Sequence, residues 1–111
     1  MLDKALLDYD FAINLNPAYQ NAWAAKGDAH MDNGQYDEAI IAYSKAITLS
    51  PNDAAALFNR GVCYAHQHIK DKALEDLGKA VQLNPEYKGL VSKNQILIEI
   101  LTSDEIKSLT T

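Results

Sequence analysis

Apolar side chains recur every three or four residues along most of this chain, a spacing that places them on one face of an α-helix. The pattern begins with Leu2, Ala5, Leu6 and Tyr9. Six segments share this period and are predicted to be helices: residues 2–15, 20–33, 36–49, 54–67, 70–83 and 88–101. The sequence therefore predicts an all-α fold.

The chain also repeats itself with a period of 34 residues. Its only three prolines, Pro17, Pro51 and Pro85, are separated by this interval, and so are Gly27 and Gly61. Further positions recur in the same phase: Trp23 with Leu57; Ala5, Ala39 and Ala73; Ala12, Ala46 and Ala80; Leu15, Leu49 and Leu83. A fixed period of this length is typical of stacked helical repeats. The prolines mark the repeat boundaries, because a residue before proline is disfavoured in the α conformation.

Local signals predict how several helices begin and end. Gly34 follows a helical segment and is predicted to be a left-handed cap at its C-terminal end. His68 stands at the equivalent position of the next repeat, where a residue with a side chain is slightly strained. Thr102 and Glu105 have the spacing of a capping box, which predicts a last short helix over residues 104–109.

Gly27 and Gly61 lie inside predicted helices, where glycine costs about 1 kcal/mol relative to alanine. We predict that both permit a close approach between the two helices of a hairpin, with Ala39 opposite Gly27 and Ala73 opposite Gly61. A single hairpin would leave an apolar face uncovered, so neighbouring hairpins are expected to stack and complete the core.

The recurring residues resemble the tetratricopeptide repeat. The motif positions are Trp23, Lys26, Gly27, His30, Ala39, Tyr43, Ala46 and Pro51, followed by Leu57, Arg60, Gly61, Tyr64, Ala73, Leu77, Ala80 and Pro85. The resemblance implies four segments: the second half of a repeat at 1–19, complete repeats at 20–53 and 54–87, and a closing helix with a short tail helix at 88–111. The implied fold is an α-solenoid of antiparallel helix hairpins that form a right-handed superhelix.

Some positions depart from the family's pattern. His30 and Leu77 stand where aromatic residues are usual. Asn94 and Gln95 replace the Lys-Gly and Arg-Gly pairs of the two complete repeats. Residues 88–101 are therefore predicted to be a closing helix rather than the start of a third full repeat.

The resemblance further implies a concave groove, lined by the first helix of each repeat, that receives a protein or peptide segment. The partner-binding residues predicted on that basis are Asn21, Ala24, Asp28, Asp32, Phe58, Asn59, Val62, His66, Lys93 and Ile96. In the family, the acidic tails of chaperones are held by a clamp that needs a lysine and an asparagine where Ala24 and Asp28 stand. Asp28 would repel a carboxylate, so binding of chaperone tails is disfavoured. A second family mode, an asparagine ladder, retains only Asn59.

The composition of the predicted groove suggests its ligand. Phe58 and Val62 form an apolar centre, and Asp28 and Asp32 form an acidic end. Our hypothesis is a partner segment that offers an apolar anchor beside a lysine or arginine. The alternative is that these are ordinary surface residues of a truncated array.

The charge and hydropathy of the chain limit which kinds of binding partner and which cellular location are expected. The 111 residues carry a net charge of −5 without a basic run, which disfavours nucleic acids and anionic membranes. The first residues are charged, unlike a secretory signal, and no apolar run has membrane-spanning length. A cytoplasmic protein is therefore expected.

Few residues are candidates for metal binding or catalysis. His66 and His68 lack a third ligand at metal-site spacing, so no metal is expected. Cys63 is expected to be buried as a small apolar residue. The acidic pairs Asp37-Glu38 and Glu75-Asp76 are interpreted as solvated helix faces. With no catalytic constellation and no cofactor motif, the chain is not expected to be an enzyme.

Both ends of the predicted array carry apolar surface. A helix over 2–15 without a hairpin partner would leave Leu2, Leu6, Tyr9 and Ile13 partly exposed. Three explanations remain open. The chain is a fragment of a longer array, or residues 104–109 fold back over the closing helix with Ile106 and Leu109 as anchors, or the chain self-associates through residues 2–15 or 96–109. The main functional hypothesis is an interaction scaffold, and the runner-up is a structural module for self-assembly or a piece of a larger repeat protein.

Overall fold

The computed structural model describes residues 2–111, which form eight α-helices and no strand. These are α1 (Leu2–Leu15), α2 (Gln20–Asp32), α3 (Tyr36–Leu49), α4 (Ala54–His66), α5 (Lys70–Leu83), α6 (Tyr87–Lys93), α7 (Gln95–Ile100) and α8 (Ser103–Thr110). The predicted all-α class is confirmed, and the first five helices agree with the predicted bounds to within one residue. No helix in the described part of the chain is long and apolar enough to span a membrane.

The chain divides between Asn52 and Asp53 into two compact units. Unit 1 contains α1, α2 and α3, and unit 2 contains α4 to α8. In unit 1, α2 and α3 form a helix hairpin, and α1 packs on α2. In unit 2, α4 and α5 form the corresponding hairpin, α7 packs on α4, and α8 packs on α5 and α6. Helix α8 thus folds back within its own unit, with Ile106 and Leu109 half-buried.

Both hairpin turns have the backbone geometry that their sequences predict. Gly34 has a φ of 73°, and its N–H donates to the carbonyl of Met31 while the next N–H donates to His30. His68 repeats this arrangement with a φ of 60°. The left-handed conformation at both positions is the usual end of a helix of this kind. The backbone at His68 therefore has a conformation that glycine adopts without strain, whereas histidine is strained there because it carries a Cβ.

We expect His68→Gly to raise the free energy of unfolding by about 0.5–1 kcal/mol. Relief of the left-handed strain, about 1–2 kcal/mol, exceeds the entropy that an added glycine gives the unfolded chain. Urea unfolding followed by circular dichroism measures the change. The reverse substitution, Gly34→His, is the matched control and should destabilise the protein; a destabilised His68→Gly protein would contradict the argument.

The helical glycines face different residues from those predicted. A Cβ at Gly27 would lie 2.7 Å from ring atoms of Tyr43. A Cβ at Gly61 would lie 3.0 Å from Cγ of Leu77 and 3.3 Å from the carbonyl oxygen of Ala73. The close approach is real, but the space over each glycine is filled by the side chain one turn after Ala39 or Ala73. In unit 1 the predicted opposition of Gly27 and Ala39 is therefore corrected to Gly27 and Tyr43. In unit 2 Ala73 does oppose Gly61, through its backbone carbonyl, and Leu77 fills the rest of the space.

The predicted closing helix over 88–101 is wrong, because the chain forms two short helices there. Asn94 lies between α6 and α7 with an extended backbone, φ −74° and ψ 121°. Its side-chain oxygen accepts a hydrogen bond from the N–H of Leu97 at 3.1 Å. Asparagine competes with the helical backbone in this way, which makes it a helix start rather than a helix interior.

The prediction that Asp76 belongs to a solvated face is also wrong. Its side chain is only 3% exposed and receives two hydrogen bonds from Arg60: Nε to Oδ2 at 2.7 Å and Nη2 to Oδ1 at 2.8 Å. The hydrogen bond from Arg60 to Asp76 raises the pKa of the arginine above its ordinary value, against the opposing effect of burial. The guanidinium also lies 5.7 Å from the centre of the Tyr64 ring. The pair joins α4 to α5 inside unit 2.

The capping box at α8 is confirmed. The side chain of Thr102 accepts from the N–H of Glu105 at 3.1 Å, and the Glu105 carboxylate accepts from the N–H of Thr102 at 2.8 Å. Lys70 of α5 lies 3.2 Å from the same carboxylate. These interactions, with the N–H of Thr102 as the largest contribution, lower the pKa of Glu105 below its ordinary value.

Candidate partner-binding site

Four of the predicted binding residues lie on one face of α2. Asn21, Ala24, Asp28 and Asp32 are spaced by three, four and four residues, and all except the half-buried Ala24 are exposed. The structure brings Asp28 and Asp32 together in an open cleft of about 470 Å³ within unit 1. The cleft is lined by Ala5, Tyr9, Ala25, Asp28, Ala29, Asp32 and Asn33.

Helices α1 and α2 form the two walls of this cleft. They run antiparallel, and Lys26 of α2 lies 2.7 Å from the carboxylate of Asp10 on α1. Three alanines, Ala5, Ala25 and Ala29, contribute only methyl groups, so that the space between the helices stays open. The cleft exists because small residues lie where the two walls meet.

The cleft is electrostatically negative. Among the described residues that line it, none is basic and two are aspartates. Asp28 also accepts a hydrogen bond from the hydroxyl of Tyr43, which fixes its carboxylate at the edge of the cleft. Asp32 is the last residue of α2, where the helix carbonyls already carry partial negative charge. A cation in the cleft would therefore be stabilised by both carboxylates and by the end of the helix.

Two groups that could have neutralised this charge are engaged elsewhere. Lys26 pairs with Asp10 and lies 5.6 Å from the centre of the Trp23 ring. His30 forms a hydrogen bond of 2.9 Å with the side chain of Gln35.

The predicted groove lacked the wall that α1 forms. Its residues came only from the first helix of each repeat, so Ala5 and Tyr9 were left out. A signal was present, since a step of 34 residues relates Ala5 to Ala39 and Tyr9 to Tyr43. Ala39 and Tyr43 are fully buried inside their hairpin, whereas Ala5 and Tyr9 are half-buried at the cleft.

In unit 2, the predicted apolar centre of the groove is covered. Phe58 is 6% exposed and Val62 is 7% exposed. The ring of Phe58 packs against that of Tyr87, with 5.2 Å between their centres. Tyr87 is the first residue of α6, so the start of the closing segment covers this part of α4. Both residues belong to the core of unit 2 in this structure.

The other predicted residues of unit 2 lie around that core. Asn59 and His66 are half-buried on α4, Lys93 is exposed at the end of α6, and Ile96 is half-buried on α7. Burial lowers the pKa of His66 below its ordinary value; Glu99 acts in the opposite direction, and His68 adds to the lowering. The partner-binding role of all four stays a prediction.

The apolar surface predicted on α1 is confirmed in part. Leu6 and Tyr9 are partly exposed, as predicted, whereas Ile13 is buried, and Leu2 lies outside the residues whose side chains are described. The exposed stripe lies on another face: Leu7 is 69% exposed, Phe11 66% and Leu15 73%. Their spacing of four residues aligns them along the helix.

The described residues contain no group of three or more His, Cys, Asp or Glu side chains that could hold a metal ion. Cys63 is fully buried, as predicted.

Two family models match the sequence. One, described as TPR repeat, matches residues 27–67, and the other, described as Tetratricopeptide repeat, matches residues 54–87. Together they span residues 27–87, more than half of the chain. The sequence matches no curated protein at a significant level. Among solved structures, the chain is similar to one described as "Crystal structure of YrrB: a TPR protein with an unusual peptide-binding site", with 19% identity, a TM-score of 0.39, and coverage of 97% of this chain and 77% of that chain.

Proposed function

Because the chain belongs to the tetratricopeptide repeat family, whose repeats serve protein interaction, we propose that its acidic cleft binds a basic segment of a partner protein. The observation that supports this proposal is that Asp28 and Asp32 line one cleft, and that no basic residue in the described part of the chain lines it with them. The partner segment carries a lysine or arginine beside an apolar anchor. The carboxylates receive the charged group, and the methyl groups of the alanine-lined floor receive the apolar one.

This chemistry also sets what the cleft rejects. An acidic tail would bring its carboxylates close to two aspartates and to the C-terminal carbonyls of α2, and like charges at close range disfavour binding. Chaperone tails are therefore excluded from this proposal. Selection by charge alone is sensitive to salt, so affinity should fall as ionic strength rises.

We expect Asp32→Lys to weaken binding of a lysine-containing peptide about tenfold or more. One charge pair about 6 Å apart at an effective dielectric constant of about 40 contributes about 1.4 kcal/mol, which is a tenfold change, and the substitution also adds repulsion. Asp32 is preferable to Asp28 for this test, because Asp28 also accepts from Tyr43. Fluorescence anisotropy with labelled basic, neutral and acidic peptides measures the affinity.

The matched control is Asp37→Lys. It makes the same change in net charge on an exposed residue of unit 1 that does not line the cleft. Its affinity for the basic peptide should stay within about twofold of the parent protein, apart from the long-range charge effect that salt removes. If the parent protein binds the acidic peptide more tightly than the basic one, the proposed function is wrong.

A second candidate function, self-assembly, is favoured by the stripe of Leu7, Phe11 and Leu15. Each is at least 66% exposed, and contiguous exposed apolar surface often marks a contact. In a two-fold dimer the same stripe would pack on its own copy, with Phe11 at the centre.

If this candidate is correct, Phe11→Glu should convert a dimer to a monomer, because two glutamates would face each other across the axis. Sedimentation equilibrium at several concentrations measures the oligomeric state. Ile41→Glu is the matched control, since Ile41 is 68% exposed but lies on α3. A parent protein that stays monomeric at all concentrations removes this candidate.

A further inference from the structure

We propose that the cleft between α1 and α2 seats an α-helix of the partner protein, and that this helix places a glycine over the ring of Tyr9. The inference rests on the proposed function, because it specifies the conformation and sequence of the segment that the acidic cleft binds. It is drawn from a comparison within the chain, between a filled site and its open counterpart.

The filled site lies between α2 and α3. Tyr43 is fully buried, its ring lies against Gly27, and its hydroxyl donates to the carboxylate of Asp28. Ala39, one turn earlier, is fully buried beside it. The closely packed contact thus consists of an alanine and a tyrosine on one helix and of a Gly-Asp pair on the helix that crosses it.

The open counterpart lies on α1. Ala5 and Tyr9 lie 34 residues before Ala39 and Tyr43, so they occupy the equivalent positions on α1. Both line the cleft, and both keep part of their surface exposed. The cleft holds about 470 Å³ of open space between α1 and α2. It therefore has the alanine and the tyrosine of the filled site, without the helix.

The filled site indicates which sequence the partner helix needs. A residue with a side chain would collide with the tyrosine ring, as a Cβ at Gly27 would, so a glycine is required at that point. The next residue should supply a hydrogen-bond acceptor for the hydroxyl of Tyr9, as Asp28 does for Tyr43.

The same comparison sets the direction of the partner helix. It runs antiparallel to α1, as α2 runs antiparallel to α3, and is therefore parallel to α2. Its last turn then lies level with Ala5 and Asp32, which line the same end of the cleft. A lysine or arginine in that turn completes the contact by charge complementarity, since a long basic side chain can reach the carboxylate.

The test uses two synthetic peptides with blocked ends. The first has the sequence of residues 20–33 with Asp28→Asn and Asp32→Lys, which supplies the glycine, a neutral acceptor after it and a basic last turn. The second is identical except for Gly27→Leu. We expect the glycine peptide to bind the full chain at least tenfold more tightly than the leucine peptide, and to gain helical carbon chemical shifts when it binds.

Protein variants locate the contact. Tyr9→Ala should weaken binding of the glycine peptide at least tenfold, whereas Phe11→Ala, on the other face of α1, should change it less than twofold. Because the two peptides are compared on the unmodified protein, the test holds even if Tyr9→Ala unfolds unit 1.

Three outcomes would overturn the inference. They are equal affinity for the two peptides, an extended bound peptide, and a dimer of the chain itself that Tyr9→Ala dissociates. Failure of the inference and failure of the proposed function are distinguishable. If basic peptides bind regardless of the glycine, the helix is wrong and the acidic cleft stands; if no basic peptide binds, both fail.

Discussion

Arg60→Met is expected to lower the free energy of unfolding by about 3–5 kcal/mol. The substitution keeps most of the side-chain volume but leaves the carboxylate of Asp76, 3% exposed, without its two hydrogen bonds from the guanidinium. A buried charge that loses its partner costs far more than the intact pair contributes. Methionine cannot supply the missing donors, and the pair joins α4 to α5 within unit 2.

Urea unfolding, followed by circular dichroism, measures this effect. Lys79→Met is the matched control, because Lys79 and Glu75 form an exposed pair one turn apart on α5, and we expect a change of at most about 0.5 kcal/mol. The double substitution Arg60→Met and Asp76→Leu removes both charges and should recover most of the lost stability. An Arg60→Met protein within about 1 kcal/mol of the parent would show that Asp76 is solvated after all.

Gly27→Ala is expected to destabilise the protein by about 2 kcal/mol, although alanine is the better helix former. The new Cβ would lie 2.7 Å from the ring of Tyr43, which is fully buried and held by its hydrogen bond to Asp28. The ring cannot move without breaking that bond or displacing α3. Overpacking of this kind costs about 1–3 kcal/mol, and at so short a distance the upper end outweighs the gain of about 1 kcal/mol in helix propensity.

The control for this prediction is Gly89→Ala. Gly89 also lies inside a helix, but no atom lies within 4 Å of its added Cβ, so the substitution should be neutral or stabilising by up to about 1 kcal/mol. Thermal unfolding of the two variants in parallel separates packing from propensity. Equal effects would mean that the contact between Gly27 and Tyr43 is not tight.

The sequence was most informative about features that depend on neighbours along the chain. Gly34, His68 and the Thr102–Glu105 capping box could be placed because caps and turns are decided by a few adjacent residues. The 34-residue period placed the helix hairpins for a related reason, since each repeat carries the same local signals.

Features that depend on contacts between helices were predicted less well. Glu75 and Asp76 look alike in the sequence, yet only Asp76 faces the guanidinium of Arg60, 16 positions away. Likewise, the 34-residue period predicted that two helical glycines permit close packing, but it did not predict that Tyr43 and Leu77 fill the space above them. Which side chain occupies a gap is decided by packing geometry rather than by spacing along the chain.

The candidate site shows the same division. Asp28 and Asp32 were placed in one groove by the family resemblance, and they do line one cleft. The second wall could not be predicted by that reasoning, because Ala5 and Tyr9 lie on a helix that was not assigned to the groove. Phe58 was placed in the groove by the resemblance as well, but the ring of Tyr87 covers it, and nothing in the repeat pattern indicates that contact.

Glu105 makes the attachment of α8 sensitive to acid. Its pKa lies below the ordinary value of a glutamate because the N–H of Thr102 and the ammonium of Lys70 favour the charged form. Its contribution to stability is therefore complete above the pKa of an unfolded glutamate and is lost as the pH falls through the lower pKa of the folded state. A single protonation then weakens the carboxylate half of the capping box and the ion pair with Lys70 of α5, so acidification loosens the start of α8, while the hydrogen bond from the Glu105 N–H to Thr102 remains.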